Sequence, residues 1–195
     1  MAKLHFKYGT MGSSKSAQLL MTRFNYMEKG RNVWLIKPAS DTRDGITTVK
    51  SRIGLQADAD VIQINSDIFQ IYKTKVEDVS IQTPDVVIVD ECQFLTETQV
   101  LQLRKIVSYY HIPVLCFGLR TDFRCNLFPG SKALFELADE FEEIKSICSC
   151  GEKATVNARI DEFGNIITEG SQIEVGGNER YKSMCWTCYS HEPRV

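Results

Sequence analysis

The stretch Gly9-Thr10-Met11-Gly12-Ser13-Ser14-Lys15-Ser16 follows a strand-like run over residues 3–8 and opens a helical pattern. It matches the phosphate-loop spacing G-x-x-x-x-G-K-[ST] at the first Gly, the Lys and the final Ser. Such a loop turns successive backbone N–H groups inward around a phosphate, and the positive end of the following helix points at the same anion. Lys15 is then expected on the β- and γ-phosphates and Ser16 on Mg²⁺. The second Gly of the pattern is Ser14 in this chain. A residue with a Cβ is accommodated there if its φ stays negative, because the left-handed region costs a non-Gly residue about 1–2 kcal/mol.

What surrounds the loop is the alternation of an α/β fold. Residues 15–28 carry Leu19, Leu20, Phe24 and Met27 on one broad face with Gly30 just beyond, which predicts a helix. Val33-Trp34-Leu35-Ile36 is a short apolar run typical of a strand buried on both faces, so strand, helix and strand form a βαβ unit. The polar, turn-rich segment 38–54 predicts a long loop. A short strand is expected over 61–64, and a helix over 67–77 with Ile68, Ile71 and Tyr72 inward. Val86-Val87-Ile88-Val89 then runs into Asp90 and Glu91, as a central parallel strand delivers carboxylates to the C-terminal edge of a sheet. Residues 96–110 predict a helix with Thr96 as N-cap and Val100, Leu103 and Val107 on its buried side. Residues 112–119 predict a further buried strand, and residues 131–138 a helix.

The 195 residues suffice for one domain of ordinary size, or for one such domain with a small appendage. With 25% charged residues and a net charge of −2, there is no electrostatic case for nucleic acid or an anionic membrane as partner. No apolar run approaches about 18 residues and no signal-peptide core precedes the first strand, so the chain reads as soluble and cytoplasmic.

Three of the cysteines, Cys92, Cys116 and Cys125, are scattered. Cys148-Ser149-Cys150 and Cys185-Trp186-Thr187-Cys188 form two close pairs. Four thiolates so arranged predict a structural tetrahedral zinc site with no open position for water, although the first pair is C-x-C rather than C-x-x-C. The composition shifts near Ser146, with strands expected over 155–159 and 180–184. We therefore expect a nucleotide-binding α/β domain over 1–145 and a zinc-binding module over 146–195.

A phosphate loop needs an acid at the end of a neighbouring strand, and Asp90 supplies it: it is expected to hold Mg²⁺ directly or through water. Glu91 beside it can serve as a base, accepting a proton from an alcohol as the bond to phosphorus forms. Spacing does not decide which of the two acids is the base. Arg43 with Asp41 and Asp44, and Arg120 with Arg124, are charged groups on loops at the same edge. Phe94, Leu119, Phe123 and Phe128 could line a pocket for a flat base, or equally belong to the core.

These residues, taken together, resemble the type II thymidine kinases over nearly the whole chain. The resemblance is carried by KYGTMGSSKS, SDTRDG, SRIG, VIVDECQFL, VLCFGLRTDFR and EVGGNERYKSMCWTC in this order. It implies a RecA-like phosphate-loop sheet flanked by helices, plus a small zinc-stabilised β domain carrying a lasso loop. The implied activity is transfer of the γ-phosphate of ATP to the 5′-hydroxyl of thymidine or deoxyuridine, with Mg²⁺. By position it implies Glu91 as general base with Arg43 near the catalytic centre, and the donor nucleotide held by residues 9–16 together with Asp90, Glu91, Cys92 and Gln93. It implies Met11, Asp41, Gln93, Phe94, Leu119, Phe123 and Phe128 around the nucleoside. A lasso over residues 157–181 is implied, closing with Gln172, Ile173, Glu174 and Val175 on the base and Tyr181 on the sugar. Structural zinc on Cys148, Cys150, Cys185 and Cys188, a homotetramer and feedback inhibition by thymidine triphosphate complete the expectation.

Two other classes share parts of this pattern. A motor or helicase-like ATPase would use DECQ as its acid motif, but the chain is small and near-neutral. An inactive zinc and nucleotide-binding module would account for Ser14 and predicts ATP binding without turnover.

Overall fold

The computed structural model describes residues 1–41, 45–173 and 180–194. The chain opens with strand β1 (Leu4–Tyr8), helix α1 (Lys15–Glu28) and strand β2 (Val33–Pro38), followed by the short strands β3 (Thr48–Lys50), β4 (Gln56–Asp58) and β5 (Asp60–Ile62). Helix α2 (Ile68–Glu77), strand β6 (Val86–Val89), a single 3-10 turn (Cys92–Phe94), helix α3 (Glu97–Tyr110) and strand β7 (Val114–Gly118) come next. Helix α4 (Pro129–Leu137) and strand β8 (Glu140–Glu143) precede a small unit of β9 (Val156–Arg159), β10 (Tyr181–Met184) and helix α5 (Trp186–His191).

Six strands form one parallel sheet in the order β5-β2-β6-β7-β1-β8. Because side chains alternate across a strand, β6 sends Val87 and Val89 to one face and Val86 and Ile88 to the other. The first face is covered by α2, α3 and α4 through residues such as Tyr72, Leu103 and Leu134. Leu19 and Leu20 of α1, with Val49 and Ala59, cover the second. Each such fully buried Val, Leu or Ile contributes about 1.5–3 kcal/mol. No helix among the described residues is long and apolar enough to cross a membrane.

β7 and β6 lie between β1 and β2, so the chain leaves β1 toward one side of the sheet and later returns to its other side as β8. At this reversal the loops following β1 and β7 part and open a crevice at the C-terminal edge of the sheet.

The expected helices and buried strands are present, with several corrections. Segment 38–54 is not wholly a loop: Thr48 begins an antiparallel hairpin in which Val49 pairs with Ala57, and Gly54 turns it at φ +89°. Only Val49 is well buried there, too little alternation to be read as a strand. Leu19 and Leu20 are buried but Phe24 and Met27 are 63% and 47% exposed, because the sheet and hairpin cover only the first half of α1. The acidic strand β8 was not foreseen, being an exposed sheet edge that carries charge rather than an apolar run. Nor was α5, which starts inside the second cysteine pair. Helix α4 begins earlier than expected, with Pro129 in its first turn where a missing N–H does no harm.

Ser14 is the sharpest departure. Its φ is +65°, so it occupies the left-handed region that was expected to be avoided. It caps α1 without a side-chain hydrogen bond. The loop geometry is that of the glycine pattern, maintained despite the Cβ.

Candidate active site

The elements deliver their acids and donors to one edge. After β1 the phosphate loop folds over Lys15, whose Nζ donates to the Thr10 carbonyl at 2.8 Å and lies 3.4 Å from that of Gly9. Lys15 is buried, so its charge stands in a poorly hydrated position against the loop's own carbonyls. Gly9 must lack a side chain, since a Cβ there would meet Ser13 Oγ at 2.4 Å and the Ile144 carbonyl at 2.5 Å. Gly12 has φ +76°, and with Ser14 it gives the loop two left-handed residues.

Strand β6 ends beside this loop. Ser16 Oγ donates to Asp90 Oδ2 at 3.2 Å, while Asp90 Oδ1 accepts the Glu91 N–H at 3.0 Å. A hydroxyl and a carboxylate in contact at the first turn of a helix are hard oxygen donors suited to Mg²⁺. Glu91 itself has φ +49°, a strained backbone for a side chain with a Cβ, and is buried. Strain of this kind, about 1–3 kcal/mol, persists where the surroundings over-determine it.

Those surroundings are the next residues. Gln93, 0% exposed, donates from Nε2 to Glu91 Oε2 and accepts the Leu119 N–H on Oε1 at 2.9 Å. Both ends of the amide are therefore used, and one oxygen of the Glu91 carboxylate is held. Gly118 makes room for this: a Cβ there would stand 2.5 Å from Gln93 Oε1 and 2.7 Å from Cys92 Sγ. Cys92 faces inward, with its thiol pushed well up by burial and by the adjacent Cys116.

Glu91 and Gln93 form one wall of an open cavity with about 520 Å³ of empty space, adjoining solvent included. Met11 and Asp41 line it near the phosphate loop. Phe94 and Phe128, in edge contact at 5.7 Å between ring centroids, line its apolar side with Leu119 and Phe123. Gln172, Ile173 and Tyr181 close it from the C-terminal module. The lining, flat apolar walls with a few polar groups, suits a small molecule. Arg43, Glu174 and Val175 lie outside the described residues, as does Asp44.

Asp41 is held by Lys37 at 2.9 Å, both side chains being almost fully buried. The Lys37 ammonium also donates to the carbonyls of Gly45 and Thr48, each at 3.1 Å, so its three protons have three acceptors. Gln172 donates to Asp122 Oδ2 at 3.0 Å, which ties the closing segment to the loop after β7.

Sequence reasoning missed Ser40, Thr121, Asp122 and Asn157, which also line the cavity. Thr121 and Asp122 stood in a segment noticed for its charge and aromatics. Asn157 carried no local sign, because only the placement of β9 brings it here. Arg120 turns away from the cavity and donates to the Thr155 carbonyl at 3.2 Å.

Sulfur atoms of Cys148, Cys150, Cys185 and Cys188 all lie within 4.8 Å of one another, with Cys150 and Cys185 at 3.7 Å. Zn–S bonds of about 2.3 Å in a tetrahedron require sulfur separations of about 3.8 Å. The Cys150 N–H, and less strongly that of Cys185, pull the Cys148 thiol down to about 6. The neighbouring sulfurs, Cys150 first, push Cys188 up to about 12. Four sulfurs at these separations fit a tetrahedral cation at their centre.

The family model described as thymidine kinase matches residues 2–189. The chain is 46% identical over 185 residues to the thymidine kinase of Vibrio vulnificus strain YJ016, covering 95% of each chain. It is 46% identical over 185 residues to that of Jannaschia sp. strain CCS1, covering 95% of this chain and 93% of the relative. To the thymidine kinase of Agrobacterium fabrum it is 47% identical over 186 residues, covering 95% and 94%.

Proposed function

This chain belongs to the thymidine kinase family, and we propose that it transfers the γ-phosphate of ATP to the 5′-hydroxyl of thymidine or deoxyuridine in pyrimidine salvage. One observation carries the reading. Asp90 accepts from Ser16 of the phosphate loop while the adjacent Glu91 lines the apolar cavity, so donor and acceptor sites meet at consecutive residues.

In this reading residues 9–16 cradle the triphosphate and Lys15 balances its charge. Mg²⁺, held by Ser16 and Asp90, would supply charge neutralisation on the phosphates. Glu91, oriented by Gln93, accepts the 5′-hydroxyl proton. Arg43 is assigned to the transferring phosphoryl by the family resemblance. The base lies between Phe94, Phe128, Leu119 and Phe123, with Gln172 to Val175 closing over it and Tyr181 on the sugar. The proposed base is a pyrimidine, as the family resemblance implies.

We also propose a structural zinc on the four cysteines, a division near residue 145 and feedback inhibition by thymidine triphosphate. The division is supported by the buried cluster of Cys148, Val156, Ala158, Ile166 and Met184, which stands apart from the two clusters on the sheet. The proposed homotetramer is supported by the exposed row Met21, Phe24 and Met27 on α1, an apolar face of the kind oligomers bury.

The test is ADP release with ATP and Mg²⁺ in the presence of thymidine, deoxycytidine, deoxyguanosine, single-stranded DNA or no acceptor. Turnover dependent on thymidine is expected. Efficient turnover on deoxyguanosine, or ATPase stimulated by DNA, would overturn the reading.

A further inference from the structure

We propose that Asn157 and Ser183 are positioning residues for the phosphate loop, through which the four-cysteine module controls nucleotide affinity. Both main-chain polar groups of Met11, in the middle of the loop, are held by this module. The Met11 N–H donates to Asn157 Oδ1 at 2.7 Å, and the Met11 carbonyl accepts from Ser183 Oγ. Asn157 on β9 and Ser183 on β10 are direct partners in the antiparallel ladder, so one rung grips one residue from two sides. A third tie joins Thr10 Oγ1 to Ser146 Oγ.

The grip answers a need of this loop. Gly12 and Ser14 both have positive φ, and Ser14 lacks glycine's tolerance of it. Left alone, the loop gains by letting Ser14 leave the left-handed region, which would turn amides away from the phosphates. Fixing the Met11 peptide planes on both sides removes that freedom. The clamp is in turn rigid, since Ser183 stands two residues before Cys185 and the ladder ends at Met184, beside the cysteine cluster. Asn157 Nδ2 also donates to the Thr121 carbonyl at 3.2 Å, and Asn157 and Thr121 line the nucleoside cavity. The same rung thus touches both the phosphate loop and the nucleoside site.

This inference rests on residues 9–16 being the donor's phosphate site. The experiment uses the full chain and measures equilibrium binding of Mg-ADP by calorimetry, with KM values for ATP and thymidine, in wild type, Ser183→Ala and Ser183→Thr. Loss of one neutral hydrogen bond predicts ADP binding weakened about fivefold in Ser183→Ala, with the KM for thymidine moving at most about twofold. Ser183→Thr, which keeps the hydroxyl, is expected to restore the affinity. Unchanged ADP affinity in Ser183→Ala overturns the clamp alone. Equal loss in Ala and Thr variants also overturns it, since packing and not the hydrogen bond would then be responsible. Wild-type protein that binds no ADP overturns the phosphate-loop reading itself, and the clamp with it.

Discussion

Gln93 lies fully buried against Glu91 and donates its amide hydrogen to Glu91 Oε2, while its own carbonyl oxygen is fixed by the Leu119 N–H. The carboxylate that faces the cavity is thus aimed by a neighbour two positions along the 3-10 turn. Removing the proposed base should therefore harm the chemical step and spare nucleotide binding. Glu91→Gln is expected to lower kcat more than about tenfold with ADP affinity unchanged. Near-normal turnover of thymidine would remove Glu91 from its role.

The aiming can be broken without touching either residue. A Cβ on residue 118 would collide with Gln93 Oε1 and Cys92 Sγ. Gly118→Ala should reduce kcat while leaving zinc content at the wild-type value. A variant with full kcat would mean that the Glu91 orientation does not depend on this contact.

Ser14 at φ +65° predicts a stabilising substitution. Ser14→Gly relieves about 1–2 kcal/mol of left-handed strain and gives back about 0.5–1 kcal/mol as greater freedom of the unfolded chain. The net gain, up to about 1.5 kcal/mol, corresponds to a rise in Tm of up to about 6 °C, readable by calorimetry. A fall in Tm would show that the hydroxyl contributes something the geometry does not reveal.

Acid should weaken the fold in part through Asp139. Burial opposes its charge, but the Leu4 N–H at 2.8 Å and the Arg104 guanidinium outweigh that and hold its carboxyl below the ordinary range. A depressed folded-state pKa stabilises fully above the unfolded value of about 3.9 and is lost as the pH falls through the folded value. Asp139→Asn should be less stable than wild type at neutral pH, and the gap should close below about pH 4. A gap that stays constant down to acid would exclude this linkage.

Metal analysis should find about one zinc per chain. Its removal by a chelator is expected to lower Tm and weaken ADP binding together, because the cysteine cluster adjoins the β10 strand that carries Ser183. Less than stoichiometric metal with all four thiols freely reactive would refute the site.

Much of this protein was written locally. Val86 to Val89 announced a strand buried on both faces, Thr96 an N-cap, and Cys148, Cys150, Cys185 and Cys188 a thiolate cage. Burial, hydrogen-bond capping and metal ligation each demand particular residue types at short spacing, so they leave marks in a single sequence. The acidic β8 edge and the mostly polar β3–β4 hairpin left none, since their side chains face water on most sides and their pairing is made by backbone groups. The left-handed geometry of Ser14 and Glu91, the inward turn of Asn157 and the grip of Ser183 on Met11 were decided only by the tertiary structure. Their partners lie far along the chain, and a conformation that costs energy locally is held only by contacts from elsewhere in the packed fold.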